Sequence, residues 1–162
     1  MRSVVIATLA VLALAPTARS QTTVGDFSFV DRSDVEQVVV YTNAINRSGY
    51  LAWACVRGSL KLYLSPGRSL GENYTVPVEF QMDDEDAADS YEWDVTGDGR
   101  GAYAPEDALA PLTASARLSE TVVIQMSGKQ AYNFRLKGLS KALEMLPCTL
   151  EPPEPAVSLA DE

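Results

Sequence analysis

Two cysteines, Cys55 and Cys148, stand behind a leader of the export type, and no other feature limits the fold as much. Arg2 supplies a positive n-region, and an apolar run extends from Val4 to Ala15. Ala18-Arg19-Ser20 then puts small residues at the two positions a signal peptidase reads, which predicts a signal peptide over 1–20 and Gln21 as the new N-terminus. The run is about 12 residues, short of the roughly 20 that a bilayer-spanning helix needs, so no stable membrane insertion is expected after cleavage. A periplasmic or secreted location is oxidising, and there a pair of thiols closes into a disulfide. The closed loop holds about 94 residues and stabilises the fold by up to ~4.6 kcal/mol in chain-entropy terms. The competing reading, a reactive thiol, has only Arg57 near Cys55 to lower its pKa.

The leader carries Arg2 and Arg19 and no acid, so the mature chain has 11 bases against 22 acids, a net charge of −11. That balance disfavours nucleic acid, whose affinity comes from Lys and Arg against phosphate. It equally disfavours anionic lipid, and it suits a basic protein partner or a cation. The sequence contains no histidine. This excludes His-dependent serine and cysteine hydrolases, His-bearing zinc sites and His-held haem. A mature length of about 142 residues suits one domain with a real core. We place that domain at 21–148, followed by a disordered Pro-rich and acidic tail over 149–162 that has too little apolar surface to fold.

Short alternating segments fill the domain. Residues 21–25 are polar and expected to be loose. Strands are expected over 26–30, 35–45, 51–56, 60–65, 74–82, 90–95, 120–126 and 132–137. Leu51, Trp53 and Cys55 share one strand face, and Leu60, Leu62 and Leu64 answer them across an Arg57-Gly58 turn. Pro77 assigns its strand to an edge or a bulge. Pro105 and the acids after it open a short helix that Pro111 is expected to cut. Leu139, Ala142, Leu143 and Leu146 mark one face of a C-terminal helix that ends at Pro147. The pattern predicts a mainly β fold, an antiparallel sandwich or barrel-like domain whose C-terminal α-helix is pinned to the Cys55 strand by the disulfide.

Between Glu79 and Asp107 lie eleven acids, opposed only by Arg100. A solvated acidic rim explains them, and so does a docking patch for a basic partner. On the second reading Asp83, Asp84 and Asp86 carry the charge, with Trp93 and Tyr103 as exposed contacts beside them. Trp53, Tyr63, Tyr74, Tyr91 and Tyr132 complete the aromatic set, which otherwise serves core and strand pairing. Asp94-Val95-Thr96-Gly97-Asp98-Gly99 matches the first six positions of a calcium loop, with Asp94, Thr96 and Asp98 as ligands. Position twelve is Pro105, where a bidentate acid belongs, so calcium stays an alternative and no cofactor is expected. A third reading is a carboxylate-based hydrolase drawing on Glu79, Glu92 or Asp94.

One arrangement resembles known families. Cys55-Val56-Arg57-Gly58-Ser59-Leu60 is followed by a strand, an Asp near Met82 and Trp93. Leu118 to Ile124, a Gly turn and Asn133-Phe134-Arg135-Leu136-Lys137-Gly138-Leu139 then lead to Cys148. This is similar to the VasI (TagO) type of type VI secretion-associated periplasmic protein, and its C-terminal part resembles invasion-associated locus B proteins. The resemblance implies an exported, β-rich domain without enzymatic activity, and it brings no active-site residue. The expectation from residues and resemblance together is a non-enzymatic binding or accessory domain of the envelope.

Overall fold

The computed structural model describes residues 22–71, 74–83, 88–127 and 130–148. The leader, Asp84, Asp86 and the tail lie outside the described residues. Ten strands run in chain order: β1 Thr22–Val24, β2 Phe27–Arg32, β3 Gln37–Asn43, β4 Tyr50–Val56, β5 Ser59–Ser65, β6 Thr75–Met82, β7 Asp89–Val95, β8 Ala102–Tyr103, β9 Thr121–Met126 and β10 Gln130–Arg135. Among the described residues two α-helices, α1 Glu106–Leu118 and α2 Leu139–Glu144, and a 3-10 turn at Ser33–Val35 accompany them. The fold is mainly β, as the alternating segments predict. It is one open antiparallel sheet in the order β1-β2-β3-β4-β5-β8-β7-β6-β9-β10, and neither a two-sheet sandwich nor a closed barrel.

The sheet curls until its two ends meet, and turns join them in place of a ladder. The Ile45 N–H donates to the Asn133 carbonyl at 2.9 Å. Asn46 caps β10 with its whole amide: Nδ2 donates to the Ala131 carbonyl at 3.0 Å and Oδ1 accepts from the Asn133 N–H at 3.1 Å. Farther along, the Asp26 N–H donates to the Lys137 carbonyl at 2.9 Å. A Cβ at Gly25 would fall on that carbonyl, so only glycine lets the β1–β2 turn come this close. These contacts cover the unpaired edge of β10.

One face of the curled sheet holds the core. Trp53, Leu62, Val78, Trp93, Ile124 and Phe134 are all fully buried there. Helix α1 closes this face with Ala108, Leu112, Thr113 and Ala116. Its length corrects the sequence expectation, because the helix continues to Leu118 with Pro111 inside it. The proline removes one helical hydrogen bond at a cost of about 3 kcal/mol. The docked face offsets that loss, and the Trp53 indole N–H adds a buried hydrogen bond to Thr113 Oγ1 at 2.9 Å.

Pro77 also departs from expectation. Its strand, β6, is interior, lying between β7 and β9. The Pro77 carbonyl accepts from the Ser127 N–H at 3.0 Å, so its nitrogen faces the same side. That point lies just past the last β6–β9 pair, Val78 with Met126, so the one bond that proline cannot donate falls at the end of the ladder. Residues 22–24, expected to be loose, form β1 and pair with β2. Past α2, Cys148 joins Cys55 in a disulfide across 93 positions with Cα atoms 5.7 Å apart, which ties the helical C-terminal segment to β4.

Thr113→Val keeps the shape of the side chain and leaves the Trp53 donor buried without an acceptor. Urea unfolding should show a loss of about 1–3 kcal/mol, whereas Thr113→Ser should retain most of the stability.

Candidate functional site

The face of the sheet opposite the core carries the candidate site. Strand register sets Ser28, Tyr41, Ala52, Tyr63, Tyr103 and Asp94 in one row across β2, β3, β4, β5, β8 and β7. Paired residues share a face, so three tyrosines and one aspartate point to the same side. Tyr50 lies two positions before Ala52 on β4 and joins them diagonally. The rings form a continuous ladder: Tyr41 to Tyr50 at 5.8 Å, Tyr50 to Tyr63 at 5.7 Å and Tyr63 to Tyr103 at 5.1 Å between centroids. Ala52 and Ala54 are the small floor beneath them, 1% and 3% exposed. The result is an open groove of about 910 Å³, with Arg32 at one end and the Thr96-Gly97-Asp98 turn at the other.

That turn is stapled from within. Asp98 Oδ1 accepts from the Thr96 hydroxyl at 2.6 Å and from the Arg100 N–H at 3.1 Å. The Thr96 N–H donates to the Gly101 carbonyl at 2.9 Å, and the Leu70 N–H donates to the Gly99 carbonyl at 2.7 Å. The Thr96 hydroxyl, before the Arg100 N–H, holds the Asp98 carboxyl below its usual range. Tyr63 lies across the base of the turn, where a Cβ on Gly101 would fall on its phenol ring. Glycine at 101 is therefore what admits the Tyr63 ring. Burial raises the Tyr63 phenol above its ordinary value, with Tyr50 and Asp98 adding to it. Burial, Tyr50 and Asp98 likewise raise Tyr103.

The structure redistributes the residues singled out in the sequence. Trp93 is not an exposed contact: it is 0% exposed and stacks on Phe80 at 5.3 Å. Its neighbours Glu92 and Asp94 take the solvent face because strand alternation sends Trp93 the other way. Its indole Nε1 has no hydrogen-bond partner among the described residues. Asp83 turns toward the start of β9, where one oxygen accepts from the Glu120 and Thr121 N–H groups, both at 2.9 Å. The Thr121 N–H leads the contacts that hold its carboxyl below the usual range. Tyr103 and Asp98 line one end of the groove, and Asp94, paired with Tyr103 on the same face, lines the neighbouring pocket with Lys61 and Glu106. Thr96 reaches Asp98, and among the described residues no group of three or more acids, cysteines or histidines gathers as a metal site. Tyr41 and Tyr50 carry no local sign in the sequence; only the register brings them to the site.

No family model and no curated protein sequence matches the chain. Among solved structures, the crystal structure of invasion associated protein B from Bartonella henselae matches with a TM-score of 0.51 and 18% identity, covering 77% of this chain and 94% of that one. The two proteins share a fold. This agrees with the locus B part of the sequence resemblance, and the likeness extends to the fold alone.

Two outcomes test the geometry. Gly101→Ala should displace Tyr63, change the near-UV circular dichroism and cost about 1–3 kcal/mol of stability through overpacking. The raised phenols bind their protons more tightly in the folded state. Their contribution to stability is thus complete below about pH 10 and is lost as pH rises toward the folded value. Tyr63→Phe should flatten that alkaline loss in urea titrations. Asp83 has the opposite sign: its contribution is present above the ordinary carboxylate range and lost on acidification. The stability difference between wild type and Asp83→Asn should shrink as the pH falls through that range.

Proposed function

We propose that this chain is an exported envelope protein that works by binding, without catalysis, and that the tyrosine groove is its working surface. The observation that carries this reading is the four-ring ladder standing open on the sheet face away from the core. Aromatic side chains at a concave, partly polar surface are what binding sites are built from. The export-type leader and the disulfide support an oxidising compartment. The lack of histidine and the locking of both cysteines into the fold support a role outside nucleophilic catalysis. In this reading the acidic contact in the groove is Asp98, with Asp94 beside Tyr103 on the same face; Asp83 is held by the β9 backbone, and Asp84 and Asp86 lie outside the described residues. Within this reading the VasI (TagO) resemblance supports an envelope or secretion-system association with an unknown basic partner, and the genes beside this one are the direct check.

A photo-crosslinking residue at position 50 in the producing cell, compared with one at position 118, tests the surface. Both positions are exposed, and Leu118 ends α1 on the opposite side of the sheet. Position 50 should give discrete adducts and position 118 none. Adducts at 118 alone, or at neither position, would remove the groove as the working surface.

A further inference from the structure

We propose that the groove receives an arginine side chain from a basic segment of the partner protein, its guanidinium lying against Tyr50, Tyr63 and Tyr103 beside Asp98. This rests on the groove being the working surface and names what that surface recognises.

Charge complementarity carries the choice. Asp94 is paired directly with Tyr103, so its carboxylate rises from the same face as the rings. Asp98 lines the groove from the turn, and its Oδ1 is fixed by Thr96 and Arg100. Neither acid forms a salt bridge among the described residues, although the Arg100 charge acts on Asp98 from a distance, and nearby Lys61 is taken by Glu106 at 3.3 Å. The chain around them has a formal charge of −9. A cation entering here meets the fixed Asp98 carboxylate, with Asp94 on the far side of Tyr103, and the negative faces of three rings, the arrangement that favours cation–π contact. The raised phenols keep their protons, so the rings present their faces as neutral aromatics.

Shape selects guanidinium over ammonium. A guanidinium is flat, weakly hydrated and stacks on aromatic rings, while an ammonium holds its water more strongly. The receiving surface is set before binding, because Gly101 seats the Tyr63 ring and backbone bonds hold the turn. Little ordering remains to oppose association. Arg32 gives the groove a direction. It lies four positions beyond Ser28 on β2, about 13 Å from the tyrosine row at strand rise. No ion pair engages it among the described residues, so it repels a second basic side chain at that end and suits an acidic group or a carbonyl.

The test uses three capped tripeptides, Ala-Arg-Ala, Ala-Lys-Ala and Ala-citrulline-Ala, titrated into the mature full chain carrying ¹³C-labelled tyrosine. Citrulline has the shape of arginine without its charge. Ala-Arg-Ala should shift the Tyr50, Tyr63 and Tyr103 ring signals saturably, more tightly than Ala-Lys-Ala, with citrulline weakest and affinity falling as salt rises. Tyr50→Leu should weaken binding about threefold, and Asp94→Asn should weaken it in the same direction; both positions are exposed, so the fold should tolerate the changes. Equal affinity for arginine and citrulline, or shifts confined to other tyrosines, would overturn the proposal. Lysine binding as tightly as arginine would overturn the guanidinium assignment. If no tripeptide binds while adducts at position 50 persist, arginine recognition is wrong and the groove remains the working surface. If the tripeptide binds and no adduct forms at 50, the site chemistry holds and the groove's role in the cell does not.

Discussion

Trp53 reaches from β4 across the core to α1, where its indole N–H meets Thr113 Oγ1 at 2.9 Å. The same strand carries Cys55, tied to the C-terminal segment, and Ala52 and Ala54, the floor of the groove. A single strand therefore anchors both helical segments on one side and the tyrosine surface on the other. It is buried on both faces, which explains why its residues read as a nearly continuous apolar run. Losing the Trp53 contact would loosen α1, and with it the core that holds the sheet in its curl.

That curl has a functional side. A sheet with one packed face normally leaves the other polar and wet. Here the second face is paved with rings because the row through Ala52 puts small residues in the centre and tyrosines on either side. The alanines let the rings lean together, and the Thr96–Gly101 turn closes one end. The acids that dominate this part of the sequence then have two fates. Asp83 is spent on the backbone of Glu120 and Thr121, while Asp98 lines the groove and Asp94 the pocket on the other side of Tyr103.

How much could be read from the sequence depended on the range of the deciding interaction. The alternation of Leu51, Trp53 and Cys55 against Leu60, Leu62 and Leu64 is local, and it gave β4 and β5 with their turn. The disulfide followed from compartment and count. Helix α1 beyond Pro111 did not, because the local cost of proline is visible and the docking of Leu112 and Thr113 is not. Trp93 misled through its acidic neighbours, although alternation alone would have sent it inward. Strand β8 has two residues, too few for any period, and it abuts β5 only because β6, β7 and β8 run back toward it. Without that pairing Tyr63 and Tyr103 have no reason to meet, so the groove was legible only once the strand order was known.

The junction of the two sheet ends has a consequence for how the molecule breathes. A few turn contacts and the Asn46 amide hold it, whereas each interior strand is held by ladders on both sides. Opening the junction breaks few hydrogen bonds and leaves the interior ladders and the disulfide in place. Amide protons bridging the 25–26 and 44–46 turns to β10 should then exchange through local opening, with those of β4 and β5 exchanging only when the whole domain unfolds. Because the 44–46 turn joins β3 to β4 beside Asn43, such opening would loosen the Tyr41 and Tyr50 rim of the groove before the Tyr63 and Tyr103 end.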